Sequence, residues 1–208
     1  MKITEVTPQK NNSSRVSVYS DGKYLLSLDE VDAVVLGIKP GKEITETELN
    51  NLLYESEFGK AKAKALDILS SKSVSAAMLS DVLEKKGYDR VVVTEVINEF
   101  TDLGYIDDFN YTMLFLEHAS EKLWGKKKIV YELGQKGVDS YVIEDALAEY
   151  SSLPGPEEIS QAIGVKYSGE DISDYKIKQK IIRFFASRGF DFSEINEGIG
   201  IYLQNIKD

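Results

Sequence analysis

Three short strings answer one another along this chain: Lys86-Gly87-Tyr88-Asp89, Lys136-Gly137-Val138-Asp139 and Arg188-Gly189-Phe190-Asp191, with the glycines 50 and 52 residues apart. Their flanks repeat too. Eight residues before each glycine stand Leu79, Ile129 and Ile181, and four before stand Leu83, Leu133 and Phe185. Six after come Val93, Ile143 and Ile195; ten after, Ile97, Leu147 and Ile199; thirteen after, Phe100, Tyr150 and Tyr202. A register of five apolar positions without a gap marks a tandem repeat, and a repeat constrains the fold more than any single motif.

The offsets dictate the local structure. Positions −8 and −4 share one helical face, as do +6, +10 and +13. A glycine after a basic residue is a helix stop, because glycine enters the left-handed region cheaply and the cation meets the carbonyl end of the dipole. The aspartates that follow can start the next helix. Each unit therefore reads as helix, glycine stop, helix, preceded by a leading helix at roughly 60–70, 109–122 or 156–164. Val91-Val92-Val93-Thr94 would read as a strand in isolation, but its counterparts Tyr141-Val142-Ile143-Glu144 and Phe192-Ser193-Glu194-Ile195 fit a helix. Gly104-Tyr105-Ile106-Asp107-Asp108 ends the first unit, with Asp108 the expected cap of the next helix, and Ser151-Ser152-Leu153-Pro154-Gly155-Pro156 separates the second from the third. A looser insert, Gly164 to Asp171, accounts for the longer spacing of the third unit.

The first 44 residues follow another rule. Arg15–Ser20 and Lys23–Leu28 flank Asp21-Gly22, a two-residue hairpin signal. Asp29–Gly37 reads as a short helix and Lys39-Pro40-Gly41-Lys42 as a turn. Thr45 and Glu48 have capping-box spacing, which launches a helix through Leu49, Leu52 and Leu53 toward Leu69. The expected fold is mainly α: three tandem three-helix repeats in a curved row, with a small N-terminal β-hairpin element of two or three strands. The expected division is 1–58 for the hairpin element and linking helix, then 59–108, 109–155 and 156–208 for the repeats.

Catalytic chemistry is poorly served. His118 is the single histidine and there is no cysteine, which excludes disulfides, Cys–His pairs and multi-histidine metal sites. No Gly-x-Ser-x-Gly elbow and no Walker motif occurs, and Gly198-Ile199-Gly200 lacks the context of a nucleotide loop. Asp107-Asp108 reads as a helix cap before it reads as a metal pair, and Glu157-Glu158 as an acidic first turn. No catalytic, cofactor or metal site is expected. Absent cysteines, the lack of a signal peptide in residues 1–30 and of any membrane-spanning apolar run lead to the expectation of a cytoplasmic protein.

The net charge is −10, spread as −4 over 1–58 and −2 in each of 59–108, 109–156 and 157–208. That opposes coating of naked nucleic acid by bulk electrostatics. Against this acidic body stand lysine clusters: Lys60, Lys62 and Lys64; Lys122 with Lys126, Lys127 and Lys128; and Lys176, Lys178 and Lys180 with Arg183. Each reads either as a solvated helix face or as part of a discontinuous basic strip for phosphates or an acidic protein surface. The candidate partner-binding residues are Lys122, Lys126, Lys127, Lys128, Lys136, Lys176, Lys178, Lys180 and Arg183, with Tyr105, Tyr111 and Trp124 as candidate aromatic anchors.

These residues resemble the RecX family, cytoplasmic bacterial regulators of the RecA recombinase. Ala65-Leu66-x-Ile68-Leu69-Ser70 with Ser75, Leu79, Leu83 and Lys86-Gly87-Tyr88 is similar to the family's opening pattern. Gly104-Tyr105-Ile106-Asp107-Asp108 is similar to its central signature, and Gly125-x-x-Lys128-Ile129-x-x-Glu132-Leu133-x-x-Lys136-Gly137-Val138 to its second-repeat signature. The resemblance covers about 60–205, and the hairpin-bearing N-terminus suits family members with an extension there. It departs at Lys128, where the family usually has arginine with its planar fork, and at Met78 and Val82, where the family carries charged residues. A repeat stack whose partner supplies the symmetry is expected to be a monomer, without cofactor, and the resemblance implies a non-enzymatic protein that lies in the groove of a RecA–DNA filament. There it limits filament extension, ATPase and strand exchange, with DNA as a secondary contact. Direct DNA binding through basic faces of the repeats is the alternative, since three-helix units resemble helix-turn-helix folds.

Overall fold

A computed structural model describes residues 1–10 and 12–206. Among these the chain forms three strands and ten helices. The strands β1 (Glu5–Gln9), β2 (Asn12–Ser20) and β3 (Lys23–Asp29) make an antiparallel sheet in the order β1-β2-β3. Asp21 (φ 48°) and Gly22 (φ 74°) both lie in the left-handed region, which gives the β2–β3 hairpin the tight two-residue turn its twist favours. Helix α1 (Glu30–Val35) ends at Gly37. Helix α2 (Glu46–Leu69) then starts from a complete capping box: the Glu48 amide donates to Thr45 Oγ1 at 3.2 Å and the Thr45 amide to Glu48 Oε2 at 2.7 Å.

Because α2 is one continuous helix, the boundary expected at 58/59 lies inside it. The sheet's core of Val16, Val18, Leu26, Leu28, Ala33, Ile38 and Ile44 also takes in Leu52 of α2, so the sheet folds onto the helix rather than alone. Arg15 fixes the seam. Its buried guanidinium donates to Asp29 at 3.3 Å and to the Ser27 carbonyl at 3.1 Å, beside Gly59 of α2.

The remaining helices are α3 (Ala76–Lys85), α4 (Arg90–Asp102), α5 (Asp108–Glu121), α6 (Lys126–Gln135), α7 (Ser140–Glu149), α8 (Pro156–Lys166), α9 (Tyr175–Ala186) and α10 (Phe192–Asn205). Val91–Thr94 is helical, launched by Asp89, whose carboxylate accepts from the Val91 amide at 2.8 Å. In each triplet the third helix packs back on the leading one: α4 on α2, α7 on α5 and α10 on α8. The −8, −4 and +6 residues are buried in all three copies. Position +10 is fully buried only at Ile199. The invariantly buried place on the third helix is instead +9, held by Val96, Ala146 and Gly198. Apolar character could not reveal it, because the residue shrinks from valine to alanine to glycine; in the third copy the helices lie so close that a Cβ on Gly198 would sit 2.5 Å from Ile159 Cγ2. Two ends also moved. The third leading helix runs on to Lys166, leaving the insert at 167–174, and Asp107, not Asp108, caps α5 by accepting from the Asn110 amide at 2.9 Å.

By internal contacts the chain divides into two compact units, Met1–Ser73 with Leu79–Ile106, and Val74–Met78 with Asp107–Asp208. Within the second, one junction occurs twice. Ser75 Oγ donates to the Lys136 carbonyl at 2.6 Å, and the Gly125 amide donates to the Arg188 carbonyl at 2.8 Å. Lys136 and Arg188 each precede a turn glycine by one residue, whereas Ser75 and Gly125 each precede one by twelve. Thus the glycine turn of one three-helix unit seats on the start of the preceding unit's middle helix. The approach is so close that a Cβ on Gly125 would lie 2.6 Å from the Gly189 carbonyl carbon, and one on Gly189 would lie 2.5 Å from Lys128 Cβ.

Candidate partner-binding surface

The second unit brings several of the candidate lysines onto aromatic rings. Trp124 follows α5 directly, its amide donating to the Ala119 carbonyl at 3.0 Å after Leu123 adopts a left-handed turn (φ 55°). That tight reversal sets the indole against Phe115 of α5, with ring centroids 6.1 Å apart. Lys122 at the end of α5 places Nζ 5.4 Å from the indole centroid, and Lys128 in the first turn of α6 places its own at 4.4 Å. Lys136, at the other end of α6, reaches the Phe115 ring at 5.8 Å. Cations over ring faces gain about 0.5–1 kcal/mol each at exposed sites and hold their charge in a fixed place.

The series continues across the junction. Gly189 packs on Lys128, and Arg188 stacks its guanidinium 4.0 Å from the Phe184 centroid. Lys166, at the end of α8, covers the same ring at 4.6 Å. Among the described residues Arg188 Nε is buried without a hydrogen-bond partner, so the ring face is what orients the guanidinium. The result is two runs of contacts, Lys136–Phe115–Trp124–Lys128 with Lys122 beside the tryptophan, and Arg188–Phe184–Lys166, joined by the backbone of Gly189 on Lys128. Five cations, Lys122, Lys128, Lys136, Lys166 and Arg188, are thus held over ring faces, and the other candidate lysines stand apart.

Those others have different surroundings. Lys127 is paired with Asp191, which raises its pKa and turns the amine back onto the protein. Lys126 is exposed and touches no ring. Lys176, Lys178, Lys180 and Arg183 lie exposed along α9, whose apolar side holds Ile181 and Phe185 in the core. In the first unit Lys62 pairs with Glu99 at 2.6 Å and Lys64 with Asp67. Of the three candidate anchors only Trp124 joins the cations: Tyr111 is buried with its hydroxyl toward Met78, and Tyr105 packs edge-on against Phe100. Lys166 and Arg188 were missed, since neither lies in a lysine cluster. Arg188 carried a usable signal, because it occupies the same repeat position as Lys136.

Asp108 accepts from the Ala76 amide at 2.8 Å at the start of α3, and burial pushes its pKa up against that hydrogen bond. His118 is exposed on α5, 3.7 Å from Glu121. Among the described residues no helix is long and apolar enough to cross a membrane.

Comparison with known proteins agrees with this architecture. Residues 1–45 match the model of the regulatory protein RecX N-terminal domain, 107–147 that of the RecX second three-helix domain, and 158–199 that of the third. The N-terminal match extends the likeness to the sheet, beyond the 60–205 over which the sequence motifs carried it. Regulatory protein RecX of Caldanaerobacter subterraneus subsp. tengcongensis is 28% identical over 97% of this chain and 100% of its own length. That of Bacillus licheniformis is 30% identical over 95% of this chain and 76% of its own. A crystal structure of regulatory protein RecX superposes with a TM-score of 0.72 at 22% identity, covering 96% of this chain and 98% of that one. RecX from Lactobacillus salivarius gives 0.59 at 24% identity, over 70% and 96%. With the repeat, the sheet and these likenesses together, the chain belongs to the RecX family of regulatory proteins.

Proposed function

We propose that this protein is a non-enzymatic regulator of the RecA recombinase, which binds the RecA–DNA filament and limits its extension, ATPase and strand exchange. The observation that carries the reading is the ring-ordered series of cations in the second unit. An acidic protein with a few fixed positive charges suits a partner that presents acidic groups or phosphates at set spacings. Tandem units suit a partner that is itself repetitive, because engaging two neighbouring protomers multiplies affinity without new kinds of contact. We assign the contact to Lys122, Lys128, Lys136, Lys166 and Arg188 first. Lys126, Lys127, Lys176, Lys178, Lys180 and Arg183 are secondary candidates. In this reading the protein acts in the cytoplasm as a monomer, organised as 1–58, 59–108, 109–155 and 156–208, with α2 running unbroken through the first of these boundaries.

Direct DNA binding is the second reading, favoured by the same rings, since bases stack on aromatic faces flanked by cations. One titration separates the two. The protein is added to RecA on single-stranded DNA while ATP hydrolysis is followed, with binding to DNA alone measured in parallel. Inhibition well below one copy per RecA supports the filament reading. Salt-sensitive DNA binding with no effect on RecA refutes it. Lys122→Glu with Lys128→Glu and Lys136→Glu should raise the half-inhibiting concentration about tenfold or more.

A further inference from the structure

A different surface lies on the first compact unit, between α1 and α2. A cavity of about 560 Å³ lined by Val35, Leu36, Leu52 and Glu48 continues into one of about 400 Å³ lined by Phe58, Ala63 and Leu66. Asp32 and Glu55 line both, so the two form one groove along α2 from Glu48 to Leu66. At the helical rise that is about 27 Å, roughly five turns of a helix.

Part of the groove's lining is exposed apolar surface, at Val35, Leu36 and Leu66, and the other valines of α1 stand beside it. Val31, Val34 and Val35 of α1 are 72, 75 and 77% exposed, and Leu66 at the far end is 45% exposed. Valines repeated on so short a helix are not scattered single residues, and contiguous exposed apolar surface marks an interaction site. The charge along the groove is predominantly acidic, with Asp29, Asp32, Glu48 and Glu55 lining it against Lys42 and Lys62. Its two basic residues are already engaged, Lys42 with the Leu36 carbonyl at 2.6 Å and Lys62 with Glu99. Asp32 and Glu55, by contrast, have no ion-pair partner among the described residues. They sit in the most acidic stretch of the chain.

We infer that this groove is a docking site for a basic amphipathic helix of a partner protein, with its apolar stripe against Val35, Leu36 and Leu66 and its lysines or arginines on Asp32 and Glu55. A channel between two helices is filled well by a third, read as anchors at every third or fourth residue. The cationic surface of the second unit cannot select such a ligand, so the site is independent of the proposed RecA contact.

The test uses the full chain and a labelled 18-residue peptide of leucine and lysine, with leucines at helical spacing, followed by fluorescence anisotropy. A scrambled peptide of the same composition, which has no apolar stripe, controls for charge. Asp32→Lys with Glu55→Lys should weaken the striped peptide about tenfold or more, whereas Glu144→Lys with Glu149→Lys on exposed α7 should change it less than about twofold. Hydrogen exchange should show protection confined to α1 and α2. Equal binding of the scrambled peptide, or equal loss in the α7 variant, would overturn the inference. So would a dimer, seen by sedimentation, that the Asp32 and Glu55 reversal dissolves, since a second copy would then be the occupant.

Discussion

Replacing Gly189 by alanine tests the junction inside the second compact unit. Two costs combine there. Gly189 has φ 86°, and an L-residue held in the left-handed region costs about 1–2 kcal/mol. Its new Cβ would also lie 2.5 Å from Lys128 Cβ and 2.9 Å from Lys128 Cα, atoms fixed to the α6 backbone, and overpacking of that kind costs about 1–3 kcal/mol more. Gly169 supplies the control. It lies in the same unit with φ 82°, but nothing stands within 4 Å of its Cβ direction, so Gly169→Ala carries the conformational cost alone. Gly189→Ala should therefore lose about 1–3 kcal/mol more than Gly169→Ala. Trp124 is the single tryptophan and sits beside Gly125, whose amide donates to the Arg188 carbonyl, so its fluorescence reports this unit during urea unfolding. With a slope near ~2 kcal/mol per M, the midpoints of the two variants should differ by about 0.5–1.5 M. Equal losses, with unchanged slopes, would show that the turn does not bear on α6 and that the repeated junction is only a contact of convenience.

Three further outcomes follow from particular groups. Ser75→Ala removes the donor to the Lys136 carbonyl at a buried position and should destabilise the same unit by about 1–3 kcal/mol, read from the same fluorescence transition. Burial raises the folded pKa of Asp108 above its ordinary 3.8, so its contribution favours the fold below that value and is lost as pH rises through the folded pKa. Asp108→Asn, whose amide oxygen still accepts from Ala76, should flatten that part of the stability profile; an unchanged slope between pH 3 and 6, a window of roughly this extent around the carboxylate range, would refute the assignment. In the first unit the Tyr54 phenol is pushed up to about 12, chiefly by burial and then by its hydrogen bond to Glu95. Ultraviolet titration should show the last tyrosine to ionise vanish in Tyr54→Phe, and its midpoint fall in Glu95→Gln.

Much of the architecture could be read from residue order because its determinants are local. A left-handed glycine, a capping aspartate and a buried residue one helical turn away all act within a few positions, so Gly87, Gly137 and Gly189 betrayed every unit at once. What stayed hidden depends on distance in space. Val96, Ala146 and Gly198 share the same buried place but differ in size, and at Gly198 the close approach of Ile159 on α8 leaves no room for a side chain. The candidate surface shows the same limit. Lysines adjacent in sequence were easy to group, yet on α9 they face solvent, whereas Lys166 and Arg188 meet on Phe184 from the end of α8 and the turn after α9. The groove beside α2 gave no motif at all, because its valines lie on a helix too short to show a period.

The repeated junction has a consequence for how such a chain can change length. The acceptor in both copies is a main-chain carbonyl, and at Gly125 the donor is main-chain as well. A seam written in backbone atoms asks little of side-chain identity beyond a small residue at the point of closest approach. A duplicated or deleted unit would thus meet a neighbour already shaped to receive it, and the gene could gain or lose a module in one step without waiting for matching substitutions across the new boundary.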